Sequence, residues 1–228
     1  HQPTDEEERL AALQALLSCP TASIGTVDKP QDIKNAQSSF PILVDENVYH
    51  CGYHSEKSFG AASYFIQLPE GNILVDSPRF TPPLVKRFEK MGGIRYEEEI
   101  NSDTRDVEIQ LSGEEPFKLS PELLIITVPG HTKGHTVLLY KNKFLFAGDH
   151  LAWSARLNQL IAFRNFCWYS WDELQKSMPK LTNYSFEWVL PGHGRRYHAD
   201  AETMQQELRK CLDWIKKTTI SHTNFKSR

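Results

Sequence analysis

Apolar positions along the chain fall into two periods. Leu10, Leu13 and Leu17 recur at helical spacing, and Thr4 with Glu7 offers a T-x-x-E capping box. This predicts a first helix that ends at Ser18-Cys19-Pro20, because proline cannot continue it. Residues 21–40 keep no sustained period and read as a linker. From about Pro41 the period shortens to that of strands. "NVYHCGYH", "GAASYFIQLPEGNILVDSP" and "DVEIQLSGEEPFKL" are short apolar or alternating runs broken by Gly, Pro and Glu-Gly turns. Helical spacing returns after Pro82-Pro83, with Leu84, Val85, Phe88 and Met91 on one face and Gly92-Gly93 closing it. Ser170 and Glu173 box a further helix carrying Leu174 and Met178, and Met204, Leu208, Cys211, Leu212 and Ile215 mark the last one. Helices alternate with strands, but runs of hairpin strands intervene. The class expected is a layered α+β fold rather than a doubly wound sheet.

One grammar recurs four times: an apolar run, a small-residue turn, then a side chain able to bind or orient a metal. "NILV" leads to Asp76, "LLIITVPG" to His131, "FLFAG" to Asp149 and "WVLPG" to His193. Strands packed side by side bring their ends to one edge, so residues far apart in sequence can meet there. Imidazoles and carboxylates suit zinc, iron or manganese. A single P-G-H is most simply a turn with an exposed histidine. Two such strings and a G-D-H, each ending an apolar run, favour a metal site.

Composition narrows the choice of partner. The 228 residues suffice for one full-sized domain and a small appendage, and no apolar run approaches the ~20 residues of a membrane span. A formal net charge of -3 argues against nucleic acid and leaves a small-molecule substrate as the expected partner. Cys19, Cys51, Cys167 and Cys211 are widely spaced with no C-x-x-C pair, which points to a reducing compartment rather than a secreted scaffold. The chain starts at His1 without an initiator methionine and reads as a fragment or processed form.

The strings "ILVDSP", "PGHTKGH", "AGDH" and "LPGHG" resemble, in order, the first, third, fourth and fifth motifs of the metallo-β-lactamase superfamily. The resemblance spans about residues 41–218 and implies a four-layer αββα sandwich with metals at one edge. It implies that His131, Asp149 and His193 are metal ligands, with Asp149 bridging two ions, and that Asp76 and His135 support the site or face the substrate. The superfamily's second motif, H-x-H-x-D-H, is absent, and no histidine stands between His54 and His131. After the helix closed by Gly92-Gly93 the chain reads "IRYEEEI", which cannot fill a buried central strand. The expectation is that a strand and a His/Asp-rich loop are missing between Tyr96 and Glu97. A dinuclear zinc or iron site depends on that motif.

"LLSCPTASIG" resembles the last cluster-binding stretch of a small [4Fe–4S] ferredoxin, where the final Cys precedes Pro. The resemblance assigns Cys19 as a cluster ligand in a longer chain. It divides the protein into a ferredoxin-like remnant with linker, residues 1–40, and a metallo-β-lactamase-like domain, residues 41–228. It points to ferredoxin-linked members in cyanobacterial cytoplasm or the chloroplast stroma. Three functions follow. The first is a metal-dependent hydrolase of a thioester or other ester. The second is a di-iron redox protein with an electron-transfer partner, and the third is a metal-poor scaffold or assembly factor. Other features stay open. Cys51 and His54, with His50, make half a metal site or a structural strand end. Arg195-Arg196 contact an anionic substrate or form a solvated loop, and the aromatics of residues 163–171 roof a pocket or pack in the core.

Overall fold

The computed structural model describes residues 2–93 and 113–223, which form two compact units, residues 1–105 and 106–228. The break expected between Tyr96 and Glu97 lies outside the described residues.

The first unit contains α1 (Glu6–Ser18), α2 (Ile33–Ser38), β1 (Ile42–Asp45), β2 (Val48–His50), β3 (Tyr64–Ile66), β4 (Ile73–Val75) and α3 (Pro82–Lys90). The strands form an antiparallel sheet in the order β1-β2-β3-β4. Tyr49, Phe65 and Leu74 line up across β2, β3 and β4 on one face. Phe88 of α3 stacks on Phe65 with ring centroids 4.8 Å apart, and both are buried. Burial of each ring stabilises the unit by about 1.5–3 kcal/mol. Leu17 at the end of α1 packs against the same cluster.

Two local expectations shift. Asp5, not Thr4, is the N-cap of α1; its carboxylate accepts from the Glu8 amide at 2.8 Å, while Thr4 donates to the Glu8 side chain. A charged acceptor beside three acidic residues in the first turn suits the positive helix end. Residues 21–40 also hold a helix, α2. At six residues α2 is too short to show a period, and it is fixed instead by tertiary contacts. Ala36 is buried, Gln14 donates to Ser39, and Arg9 pairs with Asp32 at 2.6 Å.

The second unit contains β5 (Phe117–Ser120), β6 (Leu123–Thr127), β7 (Thr136–Tyr140), β8 (Phe144–Gly148), β9 (Ala152–Ser154), β10 (Gln159–Ile161), α4 (Trp171–Ser177), β11 (Trp188–Pro191), β12 (Tyr197–His198) and α5 (Ala201–Thr223). Its main sheet has the order β12-β11-β8-β7-β6-β5, and β9 and β10 form a separate hairpin. The β7 strand runs antiparallel to both β6 and β8, and β11 runs parallel to β8. So β6, β8 and β11 all point the same way, and their C-terminal ends share one edge.

Leu124, Leu139, Leu145 and Val189 are in register across β6, β7, β8 and β11 and belong to the core beneath α4 and α5. Leu174 and Met178 cover it from α4 and its extension, and Met204, Leu208, Cys211 and Ile215 from α5. Tyr140, Phe144, Phe146 and Leu190 are buried as well, so the sheet is covered on both faces. Burial on both faces explains why its strands read as continuous apolar runs rather than alternating ones. Ser170 caps α4 by accepting from the Glu173 amide, as the sequence pattern predicts. Among the described residues no helix is long and apolar enough to cross a membrane.

Candidate metal centre

The shared edge of β6, β8 and β11 gathers the histidines and the aspartate. His131 stands beyond β6 after Val128-Pro129-Gly130, His135 directly precedes β7, Asp149 follows β8, and His193 follows β11 after Gly192. His131 Nε2 lies 3.5 Å from Asp149 Oδ2, and His193 Nδ1 lies 2.7 Å from Asp149 Oδ1. The two imidazoles therefore address different oxygens of one carboxylate. Packing behind them is close. Gly192 donates to the Gly148 carbonyl at 2.8 Å. Gly148 adopts φ 51°, and a Cβ there would stand 2.8 Å from His135 Cε1, so only glycine lets β8 turn into Asp149 beside that ring.

Charge at the site follows from burial and partners. Burial alone would raise the Asp149 carboxyl. The His193 hydrogen bond, then the charges of His193, His131 and His135, outweigh it and hold Asp149 below the ordinary carboxylate range. His135 is pushed below the usual imidazole value chiefly by burial. Its Nε2 lies 3.3 Å from the Ala147 carbonyl oxygen. A carbonyl can only accept, so Nε2 carries the proton and a neutral ring keeps its lone pair on Nδ1. His150, fully buried, is pushed well below the usual value, first by burial and then by His135 and His131.

The sequence patterns assigned no role to His150. Its ring stacks on His135 with centroids 5.5 Å apart, and neither of its nitrogens has a hydrogen-bond partner; His131 Nδ1 is likewise buried without one. Adjacency in "GDH" was the available signal, but a strand end does not reveal which of two neighbours turns inward. Asp76 and Cys19 belong to the first unit. Asp76 is exposed beyond β4 with φ 59°, and Cys19 follows α1. Cys19 Sγ accepts from the Ser23 amide and lies 3.7 Å from the Thr21 hydroxyl oxygen. The Thr21 hydrogen bond, opposed by some burial, lowers its thiol to about 7.

The donor chemistry fits a metal. Two imidazoles and an ionised carboxylate are residue types that can ligate a metal. The carboxylate lone pairs now accepting from histidine are those a cation would take. Among the described residues no group of three or more such side chains stands in metal-holding geometry. His131, Asp149 and His193 converge through the two His–Asp149 approaches, without standing as a three-ligand cage.

Known structures share this fold. A metallo-β-lactamase from Pontibacter korlensis is 13% identical over 76% of this chain and 97% of its own, with a TM-score of 0.51. The VMB-1 crystal structure is 17% identical over 74% of this chain and 95% of its own, also at 0.51. A β-lactamase domain protein from Burkholderia ambifaria is 11% identical over 92% and 81%, at 0.50. The chain has the mixed α+β metallo-β-lactamase fold. Residues 1–26 match the family described as the 4Fe-4S single cluster domain of ferredoxin I. No curated protein matches the sequence.

Proposed function

We propose that the protein is a metal-dependent hydrolase of a small ester or thioester. The observation that supports it most is the approach of His131 and His193 to the two oxygens of Asp149 at one sheet edge. His131, Asp149 and His193 would hold the ion, which when bound polarises a carbonyl and lowers the pKa of water. Asp149 brings a negative charge that its histidine neighbours keep ionised. His135, kept neutral and oriented by the Ala147 carbonyl, presents Nδ1 as a proton acceptor beside the His131 ring, 5.5 Å away between centroids. The test is elemental analysis of the purified protein together with hydrolysis of a thioester panel. Bound zinc and thioester cleavage, both lost in Asp149→Ala, are expected. A protein that binds metal but cleaves no ester or thioester would overturn the reading.

The match of residues 1–26 to a cluster-binding domain favours a second reading, a di-iron redox protein fed by a [4Fe–4S] cluster to which Cys19 contributes. Two irons beyond the cluster, with oxygen or nitric oxide consumption, would replace hydrolysis by redox chemistry. A protein that binds no metal under any condition would favour the scaffold.

A further inference from the structure

The segment between β10 and α4 exposes three large aromatic side chains in four residues. Phe166 is 58% exposed, Trp168 73% and Tyr169 49%. Solvent contact on that scale brings no folding stability, and clustered exposed apolar surface marks a binding site more often than chance. The backbone of the segment is also tied to its neighbours by hydrogen bonds. The Trp168 and Tyr169 amides both donate to the His131 carbonyl, at 2.9 and 3.0 Å. The Ser170 amide and the Cys167 thiol both donate to the Gly130 carbonyl. At the other end of the segment the Phe163 ring packs on Gly194, 3.1 Å from where a Cβ would sit, immediately after His193. One aromatic stretch is thus fastened to both histidine-bearing turns.

The same turns carry positive charge. Lys133 follows His131 by two residues, and Arg195 and Arg196 follow His193; all three are exposed. Among the described residues none of them is in an ion pair.

We propose that Phe166, Trp168 and Tyr169 form an aromatic shelf for the planar apolar group of an anionic ester or thioester, with Lys133, Arg195 and Arg196 attracting its negative charge. The assignment rests on the hydrolase reading for the bond cleaved, but the shelf itself is built from residues outside the candidate metal ligands. Aromatic side chains stack on any flat apolar group, whereas exposed cations select the charge of the ligand and hasten its approach.

Binding is measured by calorimetry with (2-naphthylmethylthio)acetate, an anionic aryl thioether that cannot be hydrolysed, and with its methyl counterpart. The full chain should bind the naphthyl acid at least about tenfold more tightly than the methyl acid, and Trp168→Ala should lose about two- to tenfold of that, the range of one aromatic pair. Arg195→Gln/Arg196→Gln should weaken both acids and flatten the salt dependence. Asp149→Ala should keep the naphthyl preference while losing metal, which separates failure of the shelf from failure of the hydrolase reading. Equal affinity for the two acids, or an unchanged Trp168→Ala, overturns the proposal. So does a wild-type dimer that Trp168→Ala converts to monomer, since the shelf would then be an interface between copies. Trp168 is exposed, so its replacement should leave the melting temperature unchanged.

Discussion

Substituting Gly130→Ala tests how tightly the His131 turn is held. Gly130 adopts φ 154°, and a Cβ built there falls 2.4 Å from Leu174 Cβ and 2.6 Å from Leu174 Cα. Carbon atoms settle at about 3.5–4.0 Å, so the turn and the first turn of α4 must separate by roughly 1 Å. That shift would break the hydrogen bonds that dock the turn: Ser170 amide to Gly130 carbonyl at 3.0 Å, Cys167 thiol to the same carbonyl at 3.0 Å, and Ser177 hydroxyl to Pro129 carbonyl at 2.6 Å. Overpacking costs about 1–3 kcal/mol and each lost hydrogen bond about 0.5–1.5 kcal/mol. Partial relaxation leaves an expected loss of about 2–4 kcal/mol, or a fall in Tm of about 4–16 °C for a chain of this length. Gly134→Ala in the same loop is the control. A Cβ there meets nothing within 4 Å, so its effect should stay within about 0.5 kcal/mol. Urea and thermal unfolding of both variants measure the difference, and elemental analysis measures metal retention. Equal stability of the two variants would refute the claim that close packing on α4 positions His131.

Four further outcomes are expected. Asp149→Ala should lose more bound metal than His135→Ala by elemental analysis, since the proposed direct ligand outweighs a supporting residue whose loss typically costs about 10–100-fold in affinity; equal losses would count against those roles. In metal-free protein, iodoacetamide followed by mass spectrometry should label Cys19 first at pH 7, because its thiol lies at about 7 whereas burial pushes Cys51 and Cys211 up to about 12. Labelling of Cys211 before unfolding would contradict its burial in the α5 core. Leu208→Ala, at a fully buried position, should cost about 2–5 kcal/mol by urea unfolding. The folded pKa values of His135 and His150 lie below their unfolded value near 6.5, so the unfolded chain binds the extra protons. Metal-free protein should therefore lose stability as pH falls below about 6.5, by up to about 1.4 kcal/mol per unit per histidine, and His150→Phe should reduce that slope; a slope unchanged by the substitution would show that His150 does not cause it.

What the sequence alone determined is local. An apolar run followed by glycine marks a strand that must turn, so the runs before His131, Asp149 and His193 could be recognised with the residue each delivers. The Ser170 cap and the buried stripe Met204, Leu208, Cys211 and Ile215 were legible for the same reason: a cap and a period are set by neighbours within a few residues. Tertiary structure decided what depends on pairing between distant segments. That β7 returns antiparallel between β6 and β8, while β11 adds parallel to β8, is what sends the turns carrying His131, Asp149 and His193 to one edge, and no residue in those turns encodes it. Six-residue α2 emerges from its contacts with α1 and α3, for it is shorter than two helical turns and has no period to read. The inward position of His150 and the tie between Trp168, Tyr169 and the His131 carbonyl were equally invisible, because burial and backbone hydrogen bonds arise only where the folded chain closes on itself.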